Sequence, residues 1–158
     1  MDCDKGEEVM KFKIMRQDPE IARCNYTPHI GTEHSAGIDL KLSSIIKSDH
    51  GVYTLGLGVA IEMPRCLLPG YIHAGLLLIR SSWGEKGLEL TNDVGLIDFD
   101  YRGEITAKCT FEYRGYDFPE MGERIAQLTV VPMLRPKIEI VEELTDTIRG
   151  GGGFGSTN

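Results

Sequence analysis

Residues 91–104 read T-N-D-V-G-L-I-D-F-D-Y-R-G-E and bring an amide, carboxylates, a phenol and a guanidinium into one short run. Apolar side chains lie among these polar groups: Val94, Leu96, Ile97 and Phe99. Gly95 and Gly103 can supply a positive φ or allow a close backbone approach, as tight turns require. The pattern predicts a folded hairpin, although a solvated turn with ordinary surface carboxylates is the alternative at this point.

The length and the charge of the chain limit what it can bind. The 158 residues fit one domain, and 41% hydrophobic residues are enough for a sizeable core. The net charge of −7 argues against binding to nucleic acid or to anionic membranes, because both need a basic face. We therefore expect no membrane and no direct nucleic-acid partner. A few arginines, backbone N–H groups and a divalent metal could still hold a small phosphate ligand.

The cysteines and the N-terminal residues indicate an intracellular protein. Cys3, Cys24, Cys66 and Cys109 are far apart and form no C-x-x-C pair, so we expect them to be reduced and mostly structural. Residues 1–8 are acidic and polar, unlike a signal peptide, and no apolar run is long enough for a membrane span. The expected location is the cytoplasm, or the host cytoplasm if the protein is viral. The histidines show no spacing typical of metal ligands.

Short β-type runs dominate the chain. Alternating or continuous apolar patterns predict strands over these ranges: 11–14, 36–42, 57–63, 71–79, 105–113, 125–134 and 137–141. Residues 87–91 and 94–97 are predicted as the arms of a hairpin, and residues 81–87 as one helical turn capped by a serine. About nine or ten short strands without a long helix predict an all-β fold, a distorted jelly-roll-like barrel or sandwich.

The two ends of the chain differ from its middle. We expect a flexible leader at residues 1–9, a single β domain at 10–147 and a glycine-rich flexible flap at 148–158. The last segment has two interpretations, of which the first is a disordered tail. The second is a flap that orders over a ligand, in which glycine N–H groups bind phosphate oxygens, Arg149 forms a charged fork and Phe154 stacks on a base.

Five segments, together and in this order, resemble the signature motifs of the homotrimeric dUTPase family. They are A-G-I-D-L at 36–40, R-S-S-W-G at 80–84, the run at 92–104, G-E-R-I-A-Q-L at 122–128 and the tail at 149–157. The resemblance covers residues 11–158 and implies a jelly-roll-like subunit of a trimer with shared active sites. It also implies Mg²⁺-dependent hydrolysis of dUTP to dUMP and pyrophosphate, by attack of water on the α-phosphorus. Such a reaction limits uracil incorporation into DNA and supplies dUMP for dTMP synthesis.

The resemblance assigns three roles within the run at 92–104. Asp98 matches the aspartate that orients and deprotonates the attacking water as a general base. Tyr101 matches the tyrosine whose ring lies against the deoxyribose and leaves no room for a 2′-hydroxyl. Asn92 matches the residue that pairs with the uracil edge, together with backbone groups of the run, for which Gly95 and Ile97 are the candidates.

The other segments are assigned to the triphosphate and its metal. Arg80, Ser81 and Ser82 would hold the phosphates, and Ser81 would donate to a bridging oxygen as charge develops on the leaving pyrophosphate. Gln127 would help to hold the nucleophilic water. Mg²⁺ would be held mainly by the triphosphate, with Asp39 linked to it through water or paired with a neighbouring basic group. The flap would contribute Arg149, Phe154, Gly155, Ser156 and Thr157.

Some positions receive supporting roles or depart from the family pattern. Arg124 is expected to form an ion pair, and Asp100 to be structural or part of the metal shell. Ile79 stands where proline is usual, and Trp83 where smaller aliphatic residues are common. Two alternatives stay open: a dCTP deaminase, which shares the fold but needs a glutamate where Lys108 stands, and a dUTPase-fold protein that binds a regulatory partner.

Overall fold

The computed structural model describes residues 9–15, 27–47 and 50–153, and eleven β-strands and one short helix lie there. The strands of the first half are β1 Lys11–Ile14, β2 His29–Ile30, β3 Ile38–Lys41, β4 Ser44–Lys47, β5 Tyr53–Gly56 and β6 Val59–Glu62. The elements that follow are β7 Tyr71–Ile79, helix α1 Ser81–Glu85, β8 Leu88–Leu90, β9 Gly95–Ile97, β10 Thr106–Phe111 and β11 Arg124–Leu134. The predicted leader lies outside the described residues, except for residue 9.

The strands pair antiparallel in three groups. A four-stranded sheet has the order β4-β5-β10-β8, a five-stranded sheet has the order β2-β3-β11-β7-β9, and β1 pairs with β6. One buried cluster contains side chains from both larger sheets, among them Leu40, Leu55, Leu77, Leu88, Cys109 and Leu128. The predicted all-β, jelly-roll-like fold is therefore confirmed, and over the described residues it is a sandwich of sheets, not a closed barrel.

The two longest strands form where the apolar runs are longest. β7 has the predicted range, and β11 begins one residue before the predicted 125–134. The two strands pair from Ala126 opposite Ile79 to Leu134 opposite Tyr71. β7 lies between β11 and β9, and all of its residues after Tyr71 are buried or half-buried. Both faces of the strand are therefore covered, which suits a nearly continuous apolar run. The residues that follow β7 are thereby held at one end of the five-stranded sheet.

The alternating segment at 137–141 forms no strand, so this prediction is wrong. Its apolar side chains are open to solvent, with Ile138 92% exposed and Ile140 95% exposed. Leu144 and Ile148 are also exposed farther along the chain. The alternation is typical of a strand, but among the described residues of one chain this segment pairs with no strand and covers no apolar surface.

The predicted hairpin at 87–97 is wrong as well, because its two arms lie in different sheets. β8 pairs with β10 in the four-stranded sheet, and β9 pairs with β7 in the five-stranded sheet. The turn between them therefore crosses from one sheet to the other. Asp93 has a φ of 58° in this turn, whereas Gly95 allows a close approach, since a Cβ there would lie 3.0 Å from the Leu77 Cβ.

The predicted helical turn forms, but the predicted serine cap is wrong. Arg80 occupies the N-cap position of α1 and makes no side-chain capping hydrogen bond. Trp83 is buried in the core cluster, and the Lys86 Nζ lies 4.2 Å from the centre of its ring. This packing accounts for a bulky residue at position 83. In the part of the chain that the structure describes, no helix has the length and apolar character needed to cross a membrane.

Candidate active site

Four of the predicted site residues line one pocket, which we call the Asp39 pocket. β3 carries Asp39 opposite Gln127 of β11, and Arg80 and Ser81 directly follow β7. Because β3, β11 and β7 are neighbours in the five-stranded sheet, residues far apart in sequence meet at one end of it. The pocket has a volume of about 370 Å³, and its lining is completed by Gly31, Ser35, Ala36 and Gly37.

The Asp39 carboxylate holds two arginines at this pocket. Its Oδ1 lies 3.0 Å from the Arg80 Nε, and its Oδ2 lies 3.1 Å from the Arg124 Nη1. The Asp39 side chain is only 12% exposed, and the Arg80 Nη1 also donates to the Arg124 carbonyl oxygen at 3.2 Å. Of the two roles expected for Asp39, the pairing with a basic neighbour is the one that the structure shows directly. The expected ion pair of Arg124 is present.

Gln127 lies against the backbone of Gly37. A Cβ at Gly37 would lie 2.5 Å from the Gln127 Oε1, closer than real side chains approach, and 3.3 Å from the Gln127 Cβ, a tight contact. Position 37 therefore has to be glycine for the amide to keep its place in the pocket. Gln127 itself is half-buried, on a strand paired at both edges by β3 and β7. Its amide is held by the sheet and not by a loop.

Ser82 does not reach the Asp39 pocket. It lines a neighbouring depression of about 430 Å³, whose basic residues are Lys41, Arg80, Lys86 and Arg124. Arg80 lines both spaces, since its side chain lies between them. The two serines after Arg80 thus face different surroundings: Ser81 is at the pocket and Ser82 is at the basic depression.

The residues from 98 to 104 form a loop that we call the 98–104 loop. Asp98 is exposed there, and the Tyr101 N–H donates to its carbonyl oxygen at 3.1 Å to close a tight turn. The Arg102 Nη1 donates to the carbonyl oxygens of Phe99 at 2.8 Å and of Tyr101 at 2.9 Å. The Tyr101 ring is 43% exposed, and its hydroxyl donates to the Glu104 carbonyl oxygen at 3.0 Å. The loop is ordered by its own hydrogen bonds.

The Asp39 pocket and the 98–104 loop lie at opposite ends of β7. Asp98 directly follows Ile97, which is opposite Gly75 at the middle of β7, and Phe99 of the loop lines a depression together with Tyr71 and Ile72 at the start of the strand. Ser81 lies beyond Ile79, the last residue of β7. From Gly75 to Ile79 the strand extends over about 13 Å at roughly 3.3 Å per residue, and the loop and the pocket lie beyond opposite ends of this stretch. Asn92 is exposed in the turn between β8 and β9, apart from the pocket lining. One chain therefore does not bring the two sets of predicted residues together.

The predicted flap is described only in part. Arg149 is exposed, and its Nε donates to the Gly152 carbonyl oxygen at 3.0 Å. The Gly150 N–H donates to the Thr147 carbonyl oxygen at 3.0 Å, which forms a turn just before the glycines. The remaining flap residues of the prediction lie outside the described residues: Phe154, Gly155, Ser156 and Thr157.

Among the described residues, neither the buried thiol nor a large apolar cavity includes a predicted site residue. Burial raises the pKa of the Cys109 thiol to about 12, so Cys109 stays neutral at ordinary pH and is unsuited to act as a nucleophile. This cavity, of about 1080 Å³, is lined mainly by apolar side chains such as Phe12, Ile38 and Val130, and it shares Ser35 and Ala36 with the lining of the Asp39 pocket. Its described lining contains none of the predicted site residues.

Sequence reasoning missed the inward-facing acid of the polar run. The Glu104 Oε1 accepts hydrogen bonds from the Gly58 N–H at 3.0 Å and from the Ser43 hydroxyl at 3.3 Å. Its position directly before the buried Ile105 is the sequence signal that could have marked it, since a residue entering a strand from a turn is often partly buried. The other acids of the loop, Asp98 and Asp100, are exposed.

Comparisons with known proteins give one consistent result. The family model described as dUTPase matches residues 25–158. A deoxyuridine 5'-triphosphate nucleotidohydrolase of Hydrogenovibrio crunogenus is 39% identical over 153 residues, which cover 94% of this chain and 95% of the relative. The enzyme of the same name from Hahella chejuensis is 42% identical over 134 residues, which cover 82% and 85% of the two chains.

Solved structures agree on the fold. The dUTPase of Staphylococcus bacteriophage 80alpha, solved with dUPNHPP, matches with a TM-score of 0.72 and 23% identity over 95% of this chain and 98% of that one. A mutant dUTPase of phage phi11 of S. aureus, described with a structural Mg(II) ion, matches with a TM-score of 0.62 and 22% identity over 85% and 97%. These likenesses show the architecture of the chain.

Proposed function

The chain belongs to the dUTPase family, and on that premise we propose that it hydrolyses dUTP to dUMP and pyrophosphate. The observation that carries the proposal is the meeting of Arg80, Ser81 and Gln127 around the Asp39 pocket, at one end of a sheet whose other end presents Asp98 and Tyr101. The positive charge of Arg80 and the hydroxyl of Ser81 suit the binding of a phosphate chain, and the amide of Gln127 suits the binding of a water molecule. The exposed Tyr101 ring suits contact with a nucleoside, and the nearby Asp98 carboxylate suits the role of a general base.

The Asp39 pocket would bind the triphosphate. The Arg80 guanidinium is oriented by Asp39 through its Nε and by the Arg124 carbonyl oxygen through its Nη1, and its other N–H groups are the donors that a phosphate can use. Ser81 is exposed at the pocket, where its hydroxyl can donate to the bridging oxygen that accumulates charge as pyrophosphate leaves. A donor that meets charge only as it develops accelerates the chemical step and does not merely tighten binding.

The 98–104 loop would bind the nucleoside and activate water. The Tyr101 ring would lie against the deoxyribose and exclude a 2′-hydroxyl, and Asn92 with backbone groups at Gly95 and Ile97 would pair with uracil. The exposed Asp98 carboxylate would take the proton of the attacking water, which Gln127 would help to hold. Because one chain separates Asp98 from Gln127, this step needs the loop of one copy beside the pocket of another.

Magnesium is implied by the family, and Asp39 fits an indirect link to it. Both Asp39 oxygens already accept from guanidinium groups, and the side chain is 12% exposed, so a water-mediated contact suits it better than direct ligation. When bound with the triphosphate, the metal would neutralise phosphate charge. The protein's part is to hold the phosphates through Arg80 and Ser81 and to keep Asp39 at the edge of the pocket.

A homotrimer with shared sites would complete the active site. Two observations support it: the separation of the pocket from the 98–104 loop in one chain, and the exposed apolar residues of the segment after β11. Side chains such as Ile138 and Ile140 are left in water by one copy and would be buried against another. The glycine-rich flap would then reach a site formed by two other chains, where Arg149 and Phe154 would close over the nucleotide.

The cellular role follows from the reaction. Removal of dUTP limits the incorporation of uracil into DNA, and the dUMP formed supplies dTMP synthesis. We place this activity inside the cell, where the nucleotide pool is. Such a role needs no nucleic-acid binding by the protein itself, in keeping with its net charge of −7.

One substrate panel tests the proposal. The protein is incubated with Mg²⁺ and separately with dUTP, dCTP, dTTP and UTP, while pyrophosphate and ammonia are measured. Pyrophosphate from dUTP alone is the expected result. Ammonia from dCTP would identify a deaminase instead, and the absence of any product, with dUTP still bound, would identify a binding protein.

A further inference from the structure

We propose that Glu104 is a positioning residue, which fixes the Tyr101 ring and the Asp98 turn in place against the core. The proposal rests on the proposed function, in which Tyr101 meets the sugar and Asp98 the water. Glu104 would touch neither. Its effect would pass through its side chain into the core and through its backbone to the tyrosine.

The Glu104 side chain anchors the 98–104 loop to a break in a strand ladder. The Leu57 N–H donates to the Ile105 carbonyl oxygen at 3.0 Å, and the Ile105 N–H donates to the Val59 carbonyl oxygen at 2.8 Å. These bonds lie on either side of Gly58, which is buried with a φ of 66° and whose N–H is left to the Glu104 carboxylate at 3.0 Å. A buried N–H needs an acceptor, and the carboxylate supplies it.

A second buried donor strengthens this anchor. Ser43 is only 5% exposed, and its hydroxyl lies within hydrogen-bond distance of both the Gly56 carbonyl oxygen, at 2.8 Å, and the Glu104 Oε1, at 3.3 Å. The carboxylate therefore joins the residues after β3, the end of β5 and the start of β10. Loss of this acceptor would free the backbone at position 104.

The backbone at 103–104 sets where the Tyr101 ring lies. The Tyr101 hydroxyl donates to the Glu104 carbonyl oxygen at 3.0 Å. The ring rests over Gly103, where an added Cβ would lie 2.6 Å from the Tyr101 Cζ and would overlap the hydroxyl oxygen. A shift of residues 103–104 would move the ring with it, and Asp98 as well, because the Tyr101 N–H closes the turn onto Asp98.

Displacement of the Tyr101 ring would change the selectivity for dUTP over UTP. If Glu104 only stabilised the fold, its loss would leave this selectivity unchanged. The ring excludes a 2′-hydroxyl only if it stays close to the sugar, and misplacement by about 1 Å can change rates by up to ~10²-fold. We therefore expect Glu104→Ala to lower the ratio of kcat/KM for dUTP over UTP by at least about tenfold. Glu104→Gln retains an oxygen that accepts from Gly58 and Ser43, so it should restore most of the ratio.

The experiment compares four variants with the full-length wild type. Glu112→Ala is the matched control, because the Glu112 side chain is 70% exposed and pairs with Arg114 at the surface. It should leave the ratio unchanged. Gly103→Ala keeps the carboxylate but displaces the ring, so it should lower the ratio even if Glu104→Ala does not fold. An unchanged ratio in either Glu104→Ala or Gly103→Ala, or an equal loss for both substrates, would overturn the proposal.

A readout without turnover separates this proposal from the proposed function. The ring signals of ¹³C-labelled tyrosine are recorded by NMR, and Tyr101→Phe identifies the Tyr101 signal. This signal should shift in Glu104→Ala and stay in place in Glu104→Gln and Glu112→Ala. If the wild type does not hydrolyse dUTP, the proposed function fails, while the NMR result still decides whether Glu104 positions the ring: no shift in Glu104→Ala contradicts it.

Discussion

The Asp39 pocket and the 98–104 loop stand at the two ends of β7 and are built differently. The pocket is assembled by long-range contacts among β3, β7 and β11, with Asp39 holding Arg80 and Arg124. The loop is ordered by local hydrogen bonds, with Arg102 and Tyr101 donating to carbonyl oxygens within it. The pocket is therefore a property of the sheet, whereas the loop depends on one short segment and its anchor.

The local ordering of the loop suits assembly into an oligomer. A locally ordered loop keeps its shape when it projects from the sheet, so it can be presented to a neighbouring copy. A pocket held by three strands keeps its charged side chains in place before the loop of another copy docks beside it. Each chain would then contribute its pocket to one active site and its loop to another. Substitutions in the pocket and in the loop should therefore impair different properties of the enzyme.

The largest effect should follow removal of the proposed general base, Asp98. Asp98→Asn should lower turnover by about 10²–10⁴-fold while nucleotide binding persists, because the amide cannot accept the proton of water. Steady-state hydrolysis and binding of dUPNHPP measure the two quantities. Asp117→Asn, at an exposed acid outside the 98–104 loop, serves as the control with little expected change. Near-normal turnover of Asp98→Asn would remove Asp98 from this role.

Truncation after Thr147 tests whether the flap closes both halves together. Loss of Arg149 and the glycines should reduce hydrolysis on the order of 10²-fold, since the phosphates lose donors and water is no longer excluded. The assembly should stay intact, as size-exclusion chromatography would show, because the apolar segment at 135–147 remains. A truncated protein with the wild-type rate would mean that the segment is only a tail.

The pocket end is probed by Asp39→Asn. Two guanidinium groups then lose a charged acceptor, which we expect to reduce the free energy of unfolding by roughly 1–3 kcal/mol. Activity should fall about tenfold, because Arg80 is no longer oriented. Denaturant unfolding and KM for dUTP are the measurements. A fall in KM would contradict this view, because it would mean that Asp39 opposes phosphate binding.

At the sugar, the expected change is in the selectivity between nucleotides. Tyr101→Ala should lower the preference for dUTP over UTP by roughly tenfold to a hundredfold. Without the tyrosine ring, the site has room for the 2′-hydroxyl of UTP, although it gains no strong new contact with that group. The ratio of kcat/KM for the two nucleotides measures it. Stability should change little, because the ring is 43% exposed. An unchanged ratio would assign sugar selection to another residue.

The sequence predicted strands well where packing is continuous and poorly where it depends on partners. β7 follows from its apolar run, because such a run is buried wherever it lies. The segment at 137–141 has the right alternation, but alternation does not reveal whether the neighbouring strand belongs to the same chain. The arms at 87–91 and 94–97 look like a hairpin because sequence spacing does not say which sheet each arm joins.

The site shows the same limit. Resemblance supplied Asp98, Arg80 and Gln127, because each stands in a recognisable motif. It did not supply the sharing of Asp39 between Arg80 and Arg124, since that depends on the register of three strands. Burial also came only from the structure, which separates Glu104 from the exposed acids beside it.

Subunit mixing tests most directly whether the two ends of β7 serve different sites. Asp98→Asn and Arg80→Gln proteins, each with little activity alone, are unfolded together in equal amounts and refolded as mixed assemblies. If each site takes its loop from one copy and its pocket from another, random mixing should make about one quarter of the sites intact. We predict about a quarter of the wild-type activity. If both halves came from the same chain, the mixture would be no more active than the separate variants, which would contradict a site shared between copies.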